Sequence, residues 1–300
     1  MDLKRPLSYD EQLNFLSSHG VEIADREYAK KVLQNVNYYR LSGYALQFRE
    51  EPTGNSYLSG TTFSNVYQLY KFDEALRWVF RLYLEKVEVY YKTQIAYGFS
   101  INKCTIPPYD QHYYEGNFYN KIGYKEVMDN FNREKNYYKE TEVYKHHNKK
   151  YSSKMPLWVI LEFMTFSSMS KLYNSMYVSE KEYIVKSVGA KMNILSNHLH
   201  CLSVFRNKCS HAVRIYNTEF NPPAKFSTNF LKKYQEVKNN TLFAYVLVLL
   251  QRLPDETSKN ALVDELKNVI NQYKDEIDMS LIGFPENYIN IIEDNFLVAR

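Results

Sequence analysis

The chain is short of the residues that build turns, cross-links and membrane spans. It has nine glycines and nine prolines in 300 residues. Many short strands joined by tight turns need more of both, because these residues set the backbone angles of turns. The shortage disfavours a sheet-rich fold and favours helices. Three cysteines, Cys104, Cys201 and Cys209, are too few for a disulfide framework and odd in number, which fits a reducing compartment. The longest apolar run, "LFAYVLVLL" from Leu242 to Leu250, covers nine residues, whereas a bilayer-spanning helix needs about 20. The opening "MDLKRPLSYDEQ" has no apolar signal-peptide core. A soluble, cytoplasmic chain without a membrane partner is expected. Charge of one sign is also scarce. The net +4 permits a nucleic-acid partner without demanding one.

Aromatic residues are plentiful, with 29 tyrosines and 17 phenylalanines. Tyrosine can stack on bases, but Asn and Lys are plentiful too. AT-rich codons explain all three, so tyrosine content carries no functional weight. Ser8 with Glu11 forms a capping-box pattern that opens a helix, and Gly20 suits its end. A second helix is expected over Asp25 to Val36. Ser42-Gly43 argues for a turn or helix junction, and Glu51 to Phe63 for a loop. Leu69, Phe72, Leu76, Phe80, Tyr83, Val87 and Tyr90 recur at spacings of three and four, which predicts a long helix from about Asn65 to Phe99, roughly 50 Å in length. "CTIPPYD" ends it. The stretch Lys121 to Lys154 is polar, with nine Lys/Arg against five Asp/Glu. It reads as a solvated insert or, less often, a basic flap. Pro156 to Tyr173 reads as one apolar helix with Pro in its first turn. Further helices are expected over Ile194 to Lys208, Thr241 to Leu253 and Lys259 to Tyr273, with "NPPAKF" (Asn221 to Phe226) as a break.

The most informative segment is "RNKCSHAVRIYN", Arg206 to Asn217. On an ideal helix Arg206 lies within about 20° of Leu195, on the same side as Leu199 and Leu202. A guanidinium on an apolar stripe cannot shed its charge, so it needs an acidic or phosphate partner. His211 falls about 140° away from Arg206 on a straight helix. Either the helix ends or bends near Cys209-Ser210, or the two groups meet across a subunit interface. Asn207 can orient a ring or a backbone group, and Arg214 and Asn217 extend the polar set. Arginine and histidine without a carboxylate cluster suit RNA cleavage, because RNA carries its own nucleophile. An imidazole can serve the proton steps, an arginine can clamp the phosphoryl oxygens, and no metal is required. By spacing alone the plainer alternative is commoner: Arg206 pairs with Glu88 or Glu162, and His211 caps a helix end. His198, His200, Cys201, Cys209 and His211 crowd one stretch. Cys201 and Cys209 would nevertheless sit about 12 Å apart on a helix, too far for one zinc ion. No metal or cofactor is expected.

Five blocks occur in order: "NYYRLSGY", "LYKFDEALRWVF", "EKVEVYYKTQIAY", "PLWVILEFMTFSSMSKLY" and "RNKCSHAVRIYN". Over roughly Pro6 to Asn217 the chain resembles the Abi-like (AbiD/AbiF) abortive-infection proteins, a group within the HEPN ribonuclease superfamily. The resemblance implies an all-α HEPN-type bundle with additional N- and C-terminal helices. It implies an N-terminal helical segment over 1–64, a HEPN-like core over 65–220 with a polar insert near 105–154, and a C-terminal helical segment over 221–300. Arg206, Asn207 and His211 would match the R-x4–6-H motif and be catalytic. Arg214, Asn217 and Lys92 would contact RNA, and Glu88 and Glu162 would orient or support. Lys92 stands where the family often has arginine, and Ser167 where it often has glycine. The implied activity is metal-independent endoribonuclease cleavage in phage defence, by a homodimer whose two motifs line one cleft. A small noncoding RNA antitoxin is an implied partner. A non-catalytic RNA-binding module and a purely protein-interaction role are the alternatives.

Overall fold

The computed structural model describes residues 3–51 and 53–297. Among these the chain forms fourteen α-helices and no strand beyond two isolated bridges, Glu22 with Thr62 and Arg49 with Tyr57. The fold is all-α, as the scarcity of turn residues predicts. It divides into two compact units, residues 1–78 with 264–278, and residues 79–263 with 279–300. These boundaries do not coincide with those expected at 64 and 220. The start of the long helix groups with the N-terminal helices, and the C-terminal segment is shared between the units.

In the first unit α1 (Tyr9–Ser18) begins with the expected reciprocal capping box of Ser8 and Glu11, and α2 (Arg26–Asn35) is capped by Asp25. The two pack through Leu13, Leu16, Ala29, Val32 and Leu33, all buried. The turn expected at Ser42-Gly43 is instead the interior of α3 (Tyr38–Ala45). Burial of Leu41, Tyr44 and Ala45 outweighs the roughly 1 kcal/mol that glycine costs a helix. Tyr44 donates its hydroxyl to Asp73 at 2.8 Å, and Asp73 pairs with Arg77 one turn on. Both lie on α4 (Phe63–Lys103), a 41-residue helix that extends the expected one at both ends.

The second unit carries the remainder of α4 and the motif. The polar insert is not uniformly solvated. Its first half is α5 (Lys121–Glu134), which buries Tyr124, Val127 and Phe131 at helical spacing. Its second half contains α6 (Glu142–Tyr151), which buries nothing. The single helix expected over Pro156 to Tyr173 is two, α7 (Leu157–Phe163) and α8 (Phe166–Ser175). Thr165 breaks it by accepting the backbone N–H of Ser168, an N-cap that restarts the helix. After α9 (Val178–Ser187) comes α10 (Met192–Ser210), which packs on α8, α9 and α12 (Leu242–Arg252). Every residue of α12 from Leu242 to Leu250 is fully buried. Phe80 on α4 meets Phe205 on α10 at 4.9 Å, and Phe205 meets Tyr245 on α12 at 5.9 Å. The residue before Arg206 is thus locked into the core. Short α11 (Thr228–Lys233), α13 (Glu256–Gln272, shared between the units) and α14 (Tyr288–Phe296) complete the chain. No helix among the described residues is long and apolar enough to cross a membrane.

Candidate active site

The apolar stripe of α10 is as the periodicity predicts. Leu195, Leu199, Leu202 and Phe205 are buried, and Arg206 continues from them to the boundary with solvent, its side chain 35 % exposed. Its partner is a carboxylate of the chain itself. Glu88 on α4 forms two ion pairs, its Oε2 lying 3.2 Å from Nε of Arg206 and its Oε1 3.1 Å from Nζ of Lys92, one turn along α4. Glu88 and Lys92 are both buried. The carboxylate therefore bridges two cations, which offsets the cost of burying its own charge and that of Lys92. Of the two acids that the sequence offers, Glu162 is not the partner. It is exposed on α7 and forms no ion pair among the described residues.

The way Glu88 holds Arg206 matters chemically. The ion pair is formed at Nε. Nη1 and Nη2 complete the guanidinium fork that recognises phosphoryl oxygens. Lys92, expected to touch RNA, is buried and faces Glu88 instead. Its place suits fixing the carboxylate rather than meeting a polyanion.

The helix ends where the angular mismatch of Arg206 and His211 requires. His211 is the C-cap, with φ −95° and ψ 14°, and its backbone N–H donates to Asn207 O at 3.0 Å. The N–H of Val213 then bonds Lys208 O at 2.9 Å and that of Ala212 bonds Cys209 O at 3.4 Å, a Schellman stop. Ala212 holds φ +52° there, where glycine is usual. The imidazole of His211 and the side chain of Asn207 are exposed, about 7 Å of helix rise beyond Arg206 in the case of the histidine. Arg214 and Asn217 are half-buried on either side of fully buried Ile215 and Tyr216, and Asn217 turns the chain at φ +46°. Burial and then the Arg214 charge pull the Lys208 ammonium below its ordinary value. The end of α10 thus gathers the cations Arg206, Lys208 and Arg214, which suit the negative end of a helix dipole, beside the His211 imidazole.

The structure brings Glu88, Lys92 and Arg206 into contact and leaves His211 and Asn207 turned to solvent at the same helix end. In the crowded His/Cys stretch, His198 and Cys201 are structural. His198 is buried, with Nε2 donating to Lys225 O at 2.7 Å, and Cys201 lies against Pro222 O and Asn197 Oδ1. Burial, then the Arg252 charge, holds His198 down to about 3, so it is neutral. No cluster of three His, Cys, Asp or Glu side chains among the described residues is placed to hold a metal ion. The Glu88–Lys92 pair was missed as a unit. Its signal is the i, i+4 spacing of acid and base on a predicted helix.

Comparison with curated proteins and with solved structures finds no significant match. The family described as Abi-like protein matches residues 31–217, from α2 to the end of the motif and well over half of the chain. That span holds Glu88, Lys92, Arg206, Asn207 and His211 together, and by it the chain belongs to the Abi-like protein family.

Proposed function

We propose that the chain is a metal-independent endoribonuclease of HEPN type that acts in abortive infection. The observation that carries this reading is the setting of Arg206, partly exposed and ion-paired through Nε to a buried carboxylate, with an exposed histidine five residues on at the helix end. In the reaction a ribose 2′-hydroxyl attacks the adjacent phosphorus and the P–O5′ bond breaks. His211 moves the proton, Arg206 binds the non-bridging oxygens as charge develops on them, and Asn207 orients. Products carry 2′,3′-cyclic phosphate and 5′-hydroxyl ends. One imidazole cannot take a proton and give one in the same step. A homodimer that sets two α10 ends across one cleft supplies both roles.

The test is cleavage of a labelled single-stranded RNA by the purified chain, with end-group analysis. His211→Ala and Arg206→Ala should each slow cleavage by about 10²–10⁴-fold, and chelator should leave the rate unchanged. Loss of cleavage in chelator, or full activity of His211→Ala, overturns the mechanism. RNA bound but never cut by the wild type favours the non-catalytic RNA-binding module. The small-RNA antitoxin is tested by sequencing nucleic acid that co-purifies with the chain and is lost from Arg206→Ala.

A further inference from the structure

Helices in folded chains are held mainly by packing of an apolar face. α6 has none, since none of its ten residues is buried. It is nevertheless a built element. Thr141 caps its first turn by accepting the N–H of Tyr144, and Ser152 closes it in the left-handed region at φ +51°. Beyond it Lys154 pairs with Asp110, and the backbone N–H of Met155 donates to the Tyr113 hydroxyl at 2.9 Å. Both ends are therefore pinned while the body is given to solvent.

The charge of the molecule is concentrated here. Residues 135–154 hold six lysines against two glutamates. That excess of four equals the net charge of the whole chain. The two glutamates, Glu140 and Glu142, both lie against Lys145. Lys139, Lys149 and Lys150 have no carboxylate partner among the described residues. Along α6 the side chains of Lys145, His146, Lys149 and Lys150 fall within an arc of about 140°.

Aromatic rings are interleaved with these cations. Tyr138 anchors on Phe163 at 4.8 Å, and its neighbour Tyr137 is turned outward, 89 % exposed. Tyr151 is exposed beside Lys150, whose Nζ lies 5.1 Å from the ring centroid. Val143 is the one aliphatic residue of α6, so the helix lacks the apolar face that an interfacial membrane helix requires. Cations without a carboxylate partner beside exposed rings are instead the recognition chemistry of a flexible polynucleotide, in which phosphates meet ammonium groups and bases stack.

We propose that residues 135–154 form a docking surface for single-stranded RNA, separate from the α10 end. The surface rests on the reading of RNA as substrate but not on cleavage. The probe is therefore a fluorescent 2′-O-methyl oligoribonucleotide of about twenty mixed nucleotides, which lacks the nucleophile and stays intact whether or not the chain is a nuclease. Binding to the full chain is followed by anisotropy across a salt series. Lys139→Ala/Lys149→Ala/Lys150→Ala, at exposed positions, should weaken binding at least tenfold and flatten the log–log salt slope by about 2, at ~0.7 per phosphate contact. Tyr137→Ala/Tyr151→Ala should weaken binding several-fold with the slope unchanged. Wild-type affinity and slope in the lysine variant overturn the proposal. So does displacement of the probe by polyglutamate or phosphatidylserine vesicles as readily as by unlabelled oligonucleotide, which would mark a general polyanion surface. Binding that depends on α6 in a chain that never cuts RNA leaves this surface standing and removes the nuclease.

Discussion

Glu88 divides its carboxylate between two cations, one on its own helix and one on α10. Glu88→Ala leaves both beside each other with no counter-charge at a half-buried site. It should cost about 3 kcal/mol in urea unfolding, whereas Lys92→Met keeps the stem volume and should cost far less. A stability loss in Glu88→Ala no larger than in Lys92→Met would mean that the carboxylate is not the bridging group. His198 makes the second residue-scale prediction. Its Nδ1 is buried with no hydrogen-bond partner, so protonation would place a bare cationic N–H beside Arg252. The folded group resists protonation until about pH 3, whereas the unfolded one takes a proton near its ordinary value of 6.5. Stability from this group is therefore full above about pH 6.5 and falls steadily towards pH 3. His112 is buried and held low in the same sense, with Nε2 on Met155 O. His198→Gln should destabilise the chain at pH 7 but shrink the loss between pH 7 and pH 4. An unchanged pH dependence would show that His198 does not drive it.

The end of α10 is the element on which the motif depends. Ala212 sits at φ +52° in a position that favours glycine, so Ala212→Gly should stabilise the chain by about 1 kcal/mol in urea unfolding. A destabilised variant would mean that the alanine methyl is packed rather than strained. α4 shows the converse. A Cβ at Gly98 would lie 2.5 Å from Cγ1 of buried Ile184 on α9. Gly98→Ala should then destabilise, despite alanine's better helix propensity, by about 1–2 kcal/mol. Elements with local signals were legible. The Ser8–Glu11 box, the Asp25 cap, the long period of α4 and the stripe of α10 all depend on residues within a few turns. The misses are places where a distant partner decides. Ser42-Gly43 stays helical because Tyr44 reaches Asp73, and α5 packs because α8 faces it. The α7–α8 break was written as Thr165 with Ser168 three residues on, but an unbroken apolar run hid it. At the site, spacing placed Arg206 on the stripe and demanded a partner. The choice of Glu88 over Glu162 depends on which acid the fold brings to α10, and one-dimensional periodicity carries no such information.

At the scale of the whole molecule, the family match ends at residue 217, but the structure around the motif does not. α10 packs on α12, whose core residues follow the match. A fragment of residues 1–217 would expose apolar surface of α10 that α12 now covers. It should give no cooperative melt by circular dichroism and should aggregate in gel filtration, while the full chain melts in a defined transition. A folded, monodisperse fragment would show that α12 is dispensable. The dependence has a temporal side. A ribosome completes Arg206 to His211 before it has begun α12, so the nascent motif helix can pack on α8 and α9 but not yet on α12. The packing around the motif is therefore complete only once α12 has been made.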